Sequence, residues 1–441
     1  MLKLQVDMAS GENSKFDLIT FLGTGQYKEV EYVWSERDGD SPGPFRTKFF
    51  PEAVLHFLGE ENIAKVLVLV TEQAKKGDNF KELNERLGEK LSPVDIPEGK
   101  AESELWQIFD KIVSEVKEKD KIILDITHGF RSIPMIVFSV ADYLKKIKSV
   151  DIKYILYGAY EAGEDTQAGI RKVPIFDLTP LLDLMEWAGG LEAFLKKGEA
   201  NLIGEKIEEK HQSLRSKGGS SEDLPKRLKS VGKKLKKLSN SLHLARAKEV
   251  LKDAHDLLGL LKEAKDELEN WIKPFAIILD RVETEVKEFA YKESDKLNLD
   301  NLKKQLALIK YYYEKGLLLQ AILLAREWIV SYVILKDPSN KPKEWIKVKS
   351  RQEVEKQLNA EVEKQLNERL KPPSAQERDK LDLKIKCWNE LGDMRNDVAH
   401  CGMRENSSAS DKIESKVKEI LNELDELFKL LRDKSAGAKS G

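Results

Sequence analysis

The feature that most constrains this chain is a change of pattern near residue 180. Before it, short apolar runs alternate with segments whose apolar residues recur every three or four positions. The predicted strands are FDLITFL, KVLVLV, KIILDIT and VDIKYILYGAY, and the last of them closes the series. Between them, PEAVLHFL, SELWQIFDKIVSEV and IPMIVFSVADYLKKI are predicted helices. This alternation predicts a mostly parallel sheet with helices on both faces, which is the Rossmann-like α/β class.

After this point strand signals disappear and helical periodicity continues. The segment YYYEKGLLLQAILLAREWIVSYVIL is apolar on nearly all sides, so it predicts the central helix of a bundle. We therefore expect an α/β domain over 1–180, a helical linker region over 181–290 and a helical bundle over 291–441. Within the linker, 200–240 looks like a mobile, lysine-rich connection. Two seams of apolar residues are predicted at Leu244, Ala247, Leu251, Ala254, Leu258 and Leu261, and at Ile413, Val417, Ile420, Leu424, Leu427 and Leu431.

The heptapeptide EVEKQLN occurs twice, eight residues apart. A shift of eight residues turns a helix by about 80°, so the two copies do not share one face. We interpret the repeat as a duplication in an exposed helical insertion near 350–375, which Pro372 and Pro373 end.

Composition limits the possible partners. The net charge is −2 although 34% of the residues are charged, so a nucleic-acid surface would have to be a local basic patch. One such patch is the run from Lys226 to Lys237, which could steer RNA or simply be a solvated linker. The two cysteines, Cys387 and Cys401, exclude a disulfide framework and favour a reducing compartment. The start of the chain has no apolar leader, so we expect a cytoplasmic protein without a membrane partner.

Two loops carry groups that suit a ligand. One follows the first strand, and the other is DITHGFRSIP, at the end of the strand predicted to run to Thr127. A tight turn at Gly129, the charge of Arg131 and an N-cap at Ser132 would favour an anion at the following helix start. The candidate ligand-binding residues are Gly23, Thr24, Gly25, Thr127, His128, Gly129, Arg131 and Ser132.

This chemistry suits a nucleotide or an oligonucleotide, and the alternative is a capped turn with a structural arginine. A dinucleotide redox cofactor is less favoured, because Lys28 stands where the G-x-G-x-x-G fingerprint requires its third glycine.

The second candidate site is GDMRNDVAH, which contains Arg395, Asn396 and His400. Five residues separate two side chains by about 140° on a helix, and Gly402 is a plausible helix stop. Two such helices across a two-fold axis would place two arginines and two histidines around one cleft. That set can cleave RNA without a metal or cofactor, since histidine moves protons, arginine stabilises the phosphorane-like transition state and RNA supplies its 2′-OH. The alternative is a solvated helix end.

Both sites together resemble one family. ITFLGTGQYKEVEYVW and LDITHGFRSIPM resemble the sensor domain of CARF proteins from type III CRISPR systems, and RNDVAH matches the R-x4–6-H motif of HEPN ribonucleases. The resemblance implies that 1–180 is a CARF-like sensing domain and that 291–441 is a HEPN domain with catalytic Arg395 and His400. From its place beside Arg395, Asn396 could orient the phosphate or the histidine.

The resemblance further implies a homodimer, or a higher homo-oligomer, that cleaves single-stranded RNA to 2′,3′-cyclic phosphate ends. Its allosteric activator would be a cyclic oligoadenylate, with cyclic tetra-adenylate as the expected ring, bound at the CARF dimer. Some relatives also cleave this ligand, and Thr127 and His128 could take part. The alternative is a non-catalytic nucleotide sensor that binds RNA or acts as an adaptor.

Overall fold

The computed structural model describes residues 15–34, 42–129, 133–167, 169–216, 224–337, 339, 342–369 and 383–437. The chain separates into two compact units, the first ending at Glu186 and the second beginning at Trp187. The first unit combines a sheet with helices, and every regular element described in the second is helical. The predicted fold class is therefore confirmed: a Rossmann-like α/β unit is followed by a helix-rich region. The division of the helical region into linker and bundle stays a prediction.

The described residues of the first unit form one nine-stranded sheet. The strands are β1 Phe16–Leu22, β2 Val30–Val33, β3 Phe45–Thr47, β4 Ile63–Val70, β5 Leu91–Asp95, β6 Lys121–Asp125, β7 Asp151–Gly158, β8 Glu164–Asp165 and β9 Arg171–Asp177. Their order is β3-β2-β9-β7-β6-β1-β4-β5, with β8 paired to β9. The central strands β7, β6, β1, β4 and β5 pair in parallel, and the antiparallel pairs are β2 with β3, β7 with β9 and β8 with β9.

Helices cover both faces of this sheet, as predicted. They are α1 Phe50–Leu58, α2 Glu72–Lys76, α3 Asp78–Leu87, α4 Glu102–Glu115, α5 Ile133–Lys148 and the start of α6 Thr179–Lys197. Side chains alternate along a strand, so Leu18 and Leu22 of β1 join one core while Ile19 and Phe21 join the other. Each core is completed by helices on its own side of the sheet.

Two predicted features of the sheet are wrong. The seventh strand does not close the series, because β9 follows and pairs with it. The β9 run has only Val173 and Ile175 buried, and Pro174 interrupts it, so its strand signal is weak. The predicted strand end at Thr127 is also wrong, because β6 ends at Asp125. The Asp125 carboxylate accepts a hydrogen bond from the Thr127 backbone N–H (2.8 Å), and this turns the chain.

The described residues of the second unit pack around one apolar core. Its helices are α7 Asn201–Ser216, α8 Leu228–His243, α9 Ala247–Glu263, α10 Lys265–Trp271, α11 Lys273–Lys287, α12 Leu299–Glu314, α13 Leu318–Lys336, α14 Val348–Arg369, α15 Leu383–Ala399 and α16 Ser410–Gly437. The predicted central helix is α13, where Trp328, Ile329 and Val330 are fully buried. Among the described residues, α13 alone has the length and hydropathy of a membrane span, but 61% of that window is buried inside the protein.

The two predicted apolar seams have different outcomes. In α16, Val417, Ile420, Leu424, Leu427 and Leu431 are buried, as the seam predicted. The first seam is only partly right, because Leu244 lies before α9 and is 70% exposed. The buried stripe of α9 consists of Val250, Leu251, Ala254, Leu257 and Leu261.

The prediction of a mobile connection over 200–240 is wrong for the described residues. They form α7 and α8, which pack against each other, and residues 217–223 lie outside the described part. Val231, Leu235 and Leu238 of α8 are fully buried although lysines surround them in sequence. The sequence prediction failed because the many lysines obscure the amphipathic pattern. Lysine has a good helix propensity, and its side chains project from the solvated face of the helix.

We expect Gly232→Ala to destabilise the protein by about 1–3 kcal/mol, because α7 and α8 touch there through backbone. A Cβ on Gly232 would lie 2.5 Å from the Gly204 carbonyl oxygen and 2.7 Å from Glu208 Cγ. The control is Gly259→Ala in α9, where an added Cβ meets nothing within 4 Å. That change should stabilise by up to about 1 kcal/mol through helix propensity. Urea unfolding followed by circular dichroism measures both, and equal stabilisation by the two alanines would contradict the close approach.

The EVEKQLN repeat is not simply exposed. It lies in α14, where Val354 and Leu358 of the first copy are buried, and Val362 of the second packs against the core. Asn359 accepts a hydrogen bond from Trp388 Nε1 (2.9 Å). The interpretation as an exposed insertion is therefore wrong for the first copy. Pro372 and Pro373 lie outside the described residues.

Candidate functional site

The strand order of the first unit marks a ligand site. β1 and β6 are neighbouring parallel strands near the centre of the sheet, with β4 and β5 on one side of them and β7, β9, β2 and β3 on the other. Because the carboxyl ends of parallel strands lie at the same edge of a sheet, the loops after β1 and β6 lie side by side at the edge where α/β folds bind ligands in a crevice. Both predicted loops, 23–25 and 127–132, follow these two strands.

A cavity of about 410 Å³ lies at this position. Its walls are mostly aromatic and polar: Gln26, Tyr27, Lys28, Val30, Tyr32, Lys48, Thr127, His128, Tyr157, Gly158, Tyr160 and Glu161. The Thr127 hydroxyl accepts a hydrogen bond from the Gly158 backbone N–H (2.9 Å), which ties the loop after β6 to the end of β7. Aromatic faces with a few polar groups suit nucleobases, and Lys28 supplies a positive charge at the rim.

The two loops are joined by a stack of two rings. The rings of Tyr27 and His128 lie 4.1 Å apart and nearly parallel. The Tyr27 hydroxyl accepts a hydrogen bond from the Gly23 backbone N–H (2.8 Å), which folds the first loop back on itself. His128 Nε2 is buried without a hydrogen-bond partner in the described structure. Burial lowers the pKa of His128 to about 4, so the ring is neutral at pH 7.

Asp125 lies beneath these loops and is completely buried. Its carboxylate accepts hydrogen bonds from the Thr20 hydroxyl of β1 (2.5 Å) and from the Thr127 backbone N–H. Burial raises the pKa of Asp125 to about 6, although both bonds oppose the shift. Asp125 therefore ties β1 to the turn after β6 at the floor of the crevice.

We expect Asp125→Asn to be more stable than the unaltered protein at pH 7, by about 1–3 kcal/mol. The folded-state pKa of about 6 exceeds the unfolded value. The contribution of Asp125 to the free energy of unfolding is therefore full below about pH 4 and is lost as pH rises to about 6. Asparagine stays neutral, can still accept from Thr127 and can donate to Thr20.

Urea unfolding at pH 7 and pH 5 tests this, and the advantage of the asparagine variant should shrink at the lower pH. The control is Asp110→Asn, which changes an exposed carboxylate on α4. An asparagine variant that is the less stable protein at pH 7 would contradict the assignment.

The structure brings most of the predicted ligand residues together. Thr127 and His128 line the cavity, and a Cβ on Gly23 would lie 3.7 Å from the His128 carbonyl oxygen. Thr24 and Gly25 are exposed, and the Gly25 carbonyl accepts a bond from Asn79 (2.8 Å). At Gly129 a Cβ would lie 2.8 Å from Ile133, so this close approach requires glycine. Arg131 and Ser132 lie outside the described residues.

Sequence reasoning missed several residues of this crevice. Tyr27 stands only two positions after Gly25, in GTGQYKEV, and Asp125 is the last residue of its strand. A buried strand that ends in aspartate, with a threonine two residues later, was the available signal for the second of these. Gly158 ends β7 and Tyr160 follows it, so both could be placed only once the neighbour of β6 was known.

The second candidate site lies at the end of α15. Leu391, Met394 and Asp397 are buried, whereas Arg395, Asn396 and His400 are exposed. The Arg395 guanidinium donates to Asn396 Oδ1 (2.8 Å), and within the described residues it makes no bond to His400. This agrees with the expected separation of their directions on one helix.

The helix stops where it was predicted to stop. α15 ends at Ala399, and Cys401 and Gly402 both adopt left-handed backbone conformations with φ of 54° and 70°. The Gly402 N–H donates to the Asp397 carbonyl (3.2 Å), and the Asp397 carboxylate accepts from the Ser408 N–H (2.7 Å). These bonds hold the chain just after His400 in a fixed turn.

The basic run from Lys226 to Lys237 is largely neutralised by ion pairs. Four of its seven basic residues are paired with carboxylates of neighbouring helices. Lys234 and Lys237 both contact buried Asp253, at 3.2 and 3.0 Å. This segment therefore stabilises the packing of α8 on α9 and presents less free charge than its sequence suggests.

Two family models match this chain. Residues 18–161 match the model described as the CARF domain of the CRISPR system endoribonuclease Csx1. Residues 183–309 match the model of the second domain of the CRISPR-associated protein MJ1674. The first unit of this chain therefore contains a CARF domain of the kind found in CRISPR-associated proteins. The crevice between β1 and β6 thus belongs to its CARF domain.

A curated relative agrees with these matches. The CRISPR-associated protein MJ1674 of Methanocaldococcus jannaschii is 28% identical over 253 residues, which are 56% of this chain and 36% of the relative. The chain therefore matches only about a third of the length of that relative. Enterococcus italicus Csm6 bound to cyclic hexa-2′-fluoro-hexa-dAMP aligns over 95% of this chain and 94% of its own, with 14% identity and a TM-score of 0.40.

Proposed function

We propose that this CARF protein is a metal-independent endoribonuclease of the HEPN type, active on single-stranded RNA and switched on by a cyclic oligoadenylate. The observation that carries the proposal is the exposure of Arg395, Asn396 and His400 at the end of a helix that is otherwise anchored in the core. The match of the first unit to the CARF domain of an endoribonuclease supports it. RNA and cyclic oligoadenylate are thus its proposed partners.

The proposed reaction needs only groups that the chain and the RNA provide. A base removes the proton of the ribose 2′-OH, and the oxygen attacks the adjacent phosphorus. The 5′-oxygen of the next nucleotide leaves and takes a proton from an acid, so the products are a 2′,3′-cyclic phosphate and a 5′-OH. His400 of one copy and His400 of a second copy would serve as base and acid. Arg395 would stabilise the charge of the phosphorane, with Asn396 holding the Arg395 guanidinium.

The roles proposed for His400 and Arg395 require two copies of the chain. Arg395 and His400 project in different directions from the end of one helix, so a single copy does not bring both groups to one phosphodiester. A two-fold axis beside α15 would give both copies the same surroundings and place four groups in one cleft. We therefore propose a homodimer as the active form.

The proposed activator fits the chemistry of the CARF crevice. Tyr27, His128, Tyr157 and Tyr160 offer aromatic faces for adenine, and Thr127 offers a hydroxyl. A ring of several adenylates is larger than one cavity, so we propose that two CARF domains share it across the dimer axis. The ligand activates if it binds one arrangement of the dimer more tightly than another.

Cleavage of a fluorogenic single-stranded RNA, with and without cyclic oligoadenylate, tests the proposed function. Cleavage that appears only with the ligand supports it. If RNA is bound but never cleaved under any ligand, the alternative of a nucleotide-sensing adaptor takes its place. Cleavage of the ligand itself by Thr127 and His128 remains a prediction, and recovery of intact ligand after incubation would contradict it.

A further inference from the structure

Arg326 of α13 lies beside the helix that carries the proposed catalytic residues. Its guanidinium carbon is 3.6 Å from the ring centroid of Trp388 in α15. A Cβ added to Gly392, one turn further along, would lie 3.6 Å from Arg326 Nη1. The guanidinium thus lies against α15 between Trp388 and Gly392, just before Arg395 in the helix.

This guanidinium is half-buried, yet it makes no hydrogen bond or ion pair within the part of the chain that the structure describes. Arg351 does have such a partner, because it forms an ion pair at 2.6 Å with the carboxylate of Glu327, the residue that follows Arg326 in sequence. Burial lowers the pKa of Arg326, and the positive charge of Arg395 acts in the same direction, whereas Glu355 and Glu327 oppose them. A partly desolvated cation with unused donors, next to a second cation, favours an anion as the missing partner.

The surroundings hold this side chain in position. Trp388 is almost fully buried, and its indole N–H donates to Asn359 Oδ1 (2.9 Å). Asn359 ends the first EVEKQLN copy, so α14 fixes the indole and the indole supports the guanidinium. An arginine stacked in this way loses little further freedom when it binds a ligand.

We propose that Arg326 is an RNA-binding residue that contacts a phosphodiester next to the scissile one, and that the Trp388–Asn359 pair positions it. This rests on the proposed function, since it places RNA at the end of α15. A guanidinium fork matches two phosphate oxygens, and RNA would supply the anion that the described residues do not. It also gives the first copy of the repeat a role.

The test measures RNA binding by full-length protein in a His400→Ala background, where RNA is not consumed. Fluorescein-labelled oligouridine is titrated at several salt concentrations and followed by anisotropy. We expect Arg326→Gln to weaken binding by roughly 10- to 100-fold. It should also reduce the slope of log K against log[salt] by about 0.7, the value for one phosphate contact on a single strand. Arg326→Lys keeps the charge, so it should keep the slope while it binds less tightly.

The matched control is Arg281→Gln, which removes an exposed arginine of α11 and should leave affinity within about 2-fold. Trp388→Phe keeps a ring under the guanidinium but loses the bond to Asn359, and it should weaken binding by less than Arg326→Gln does. If Arg326→Gln lowers the melting temperature while affinity and salt slope stay unchanged, the arginine is structural and the proposal is overturned.

The binding and cleavage assays together distinguish failure of the Arg326 assignment from failure of the ribonuclease proposal. If the unaltered chain binds RNA through Arg326 but never cleaves it, the binding assignment stands and the ribonuclease proposal fails. If ligand-dependent cleavage depends on His400 while Arg326→Lys and Arg326→Gln retain the unaltered kcat and KM, the ribonuclease stands and Arg326 is excluded. Arg326→Lys, which keeps a cation over the Trp388 ring, supplies the decision if Arg326→Gln does not fold.

Discussion

His400→Ala is expected to slow cleavage of single-stranded RNA by about 10³-fold or more, because it removes the group proposed to move protons in both halves of the reaction. The ligand affinity should not change, since His400 belongs to the second unit and the crevice to the first. Arg395→Ala should cause a loss of about 10²- to 10³-fold through the unstabilised phosphorane. Initial rates with a fluorogenic RNA and saturating ligand measure both effects.

Two controls keep this prediction specific. His255→Ala removes an exposed helical histidine of the same unit, and Arg281→Ala removes an exposed arginine. Both should cleave at the unaltered rate. If His400→Ala cleaves RNA as fast as these controls, the assignment of the catalytic residues is wrong, whatever the effect of the ligand.

Tyr27→Ala is expected to raise the ligand concentration needed for half-maximal activation by at least about 10-fold. The change removes the ring stacked on His128 and the oxygen that accepts from the Gly23 N–H, so the first loop loses both supports. Activation curves with cyclic tetra-adenylate measure the shift. The maximal rate at saturating ligand should return to that of the unaltered protein, because the RNA site is untouched.

Phe45→Ala is the matched control for Tyr27→Ala. Phe45 also stacks on a histidine of the same unit, His56, with ring centroids 4.4 Å apart, but it does not line the crevice. The control should leave the activation midpoint unchanged. Equal shifts for both variants would mean that Tyr27 acts through general stability of the unit, and this would contradict the pocket assignment.

Much of the fold could be predicted from the sequence because its signals are local. The buried strands of the sheet centre are continuous apolar runs, and α13 is apolar on nearly all sides. Sequence patterns failed to predict the elements in which only one narrow face is buried. β9 buries only Val173 and Ile175, and α8 hides its apolar stripe among lysines.

The residues of the candidate site could likewise be predicted only where the signal is local. Thr127 and His128 could be predicted because a loop after a strand in a parallel sheet is a usual place for a ligand. Tyr27, Gly158 and Tyr160 could not, because their approach depends on strand order, which no local pattern encodes. The absence of an ion pair at Arg326 among the described residues is likewise a property of packing, since Glu327 is its neighbour in sequence and yet bonds to Arg351.

The central claim is that a nucleotide bound in the CARF crevice controls cleavage of RNA by Arg395 and His400. The most direct measurement is a fluorogenic RNA assay with cyclic tri-, tetra- and hexa-adenylate, each with and without EDTA. We predict that one ring size will activate cleavage, that EDTA will not stop it and that the products will carry 2′,3′-cyclic phosphates. Cleavage at the same rate without any ligand, or no cleavage with every ring, would contradict the account.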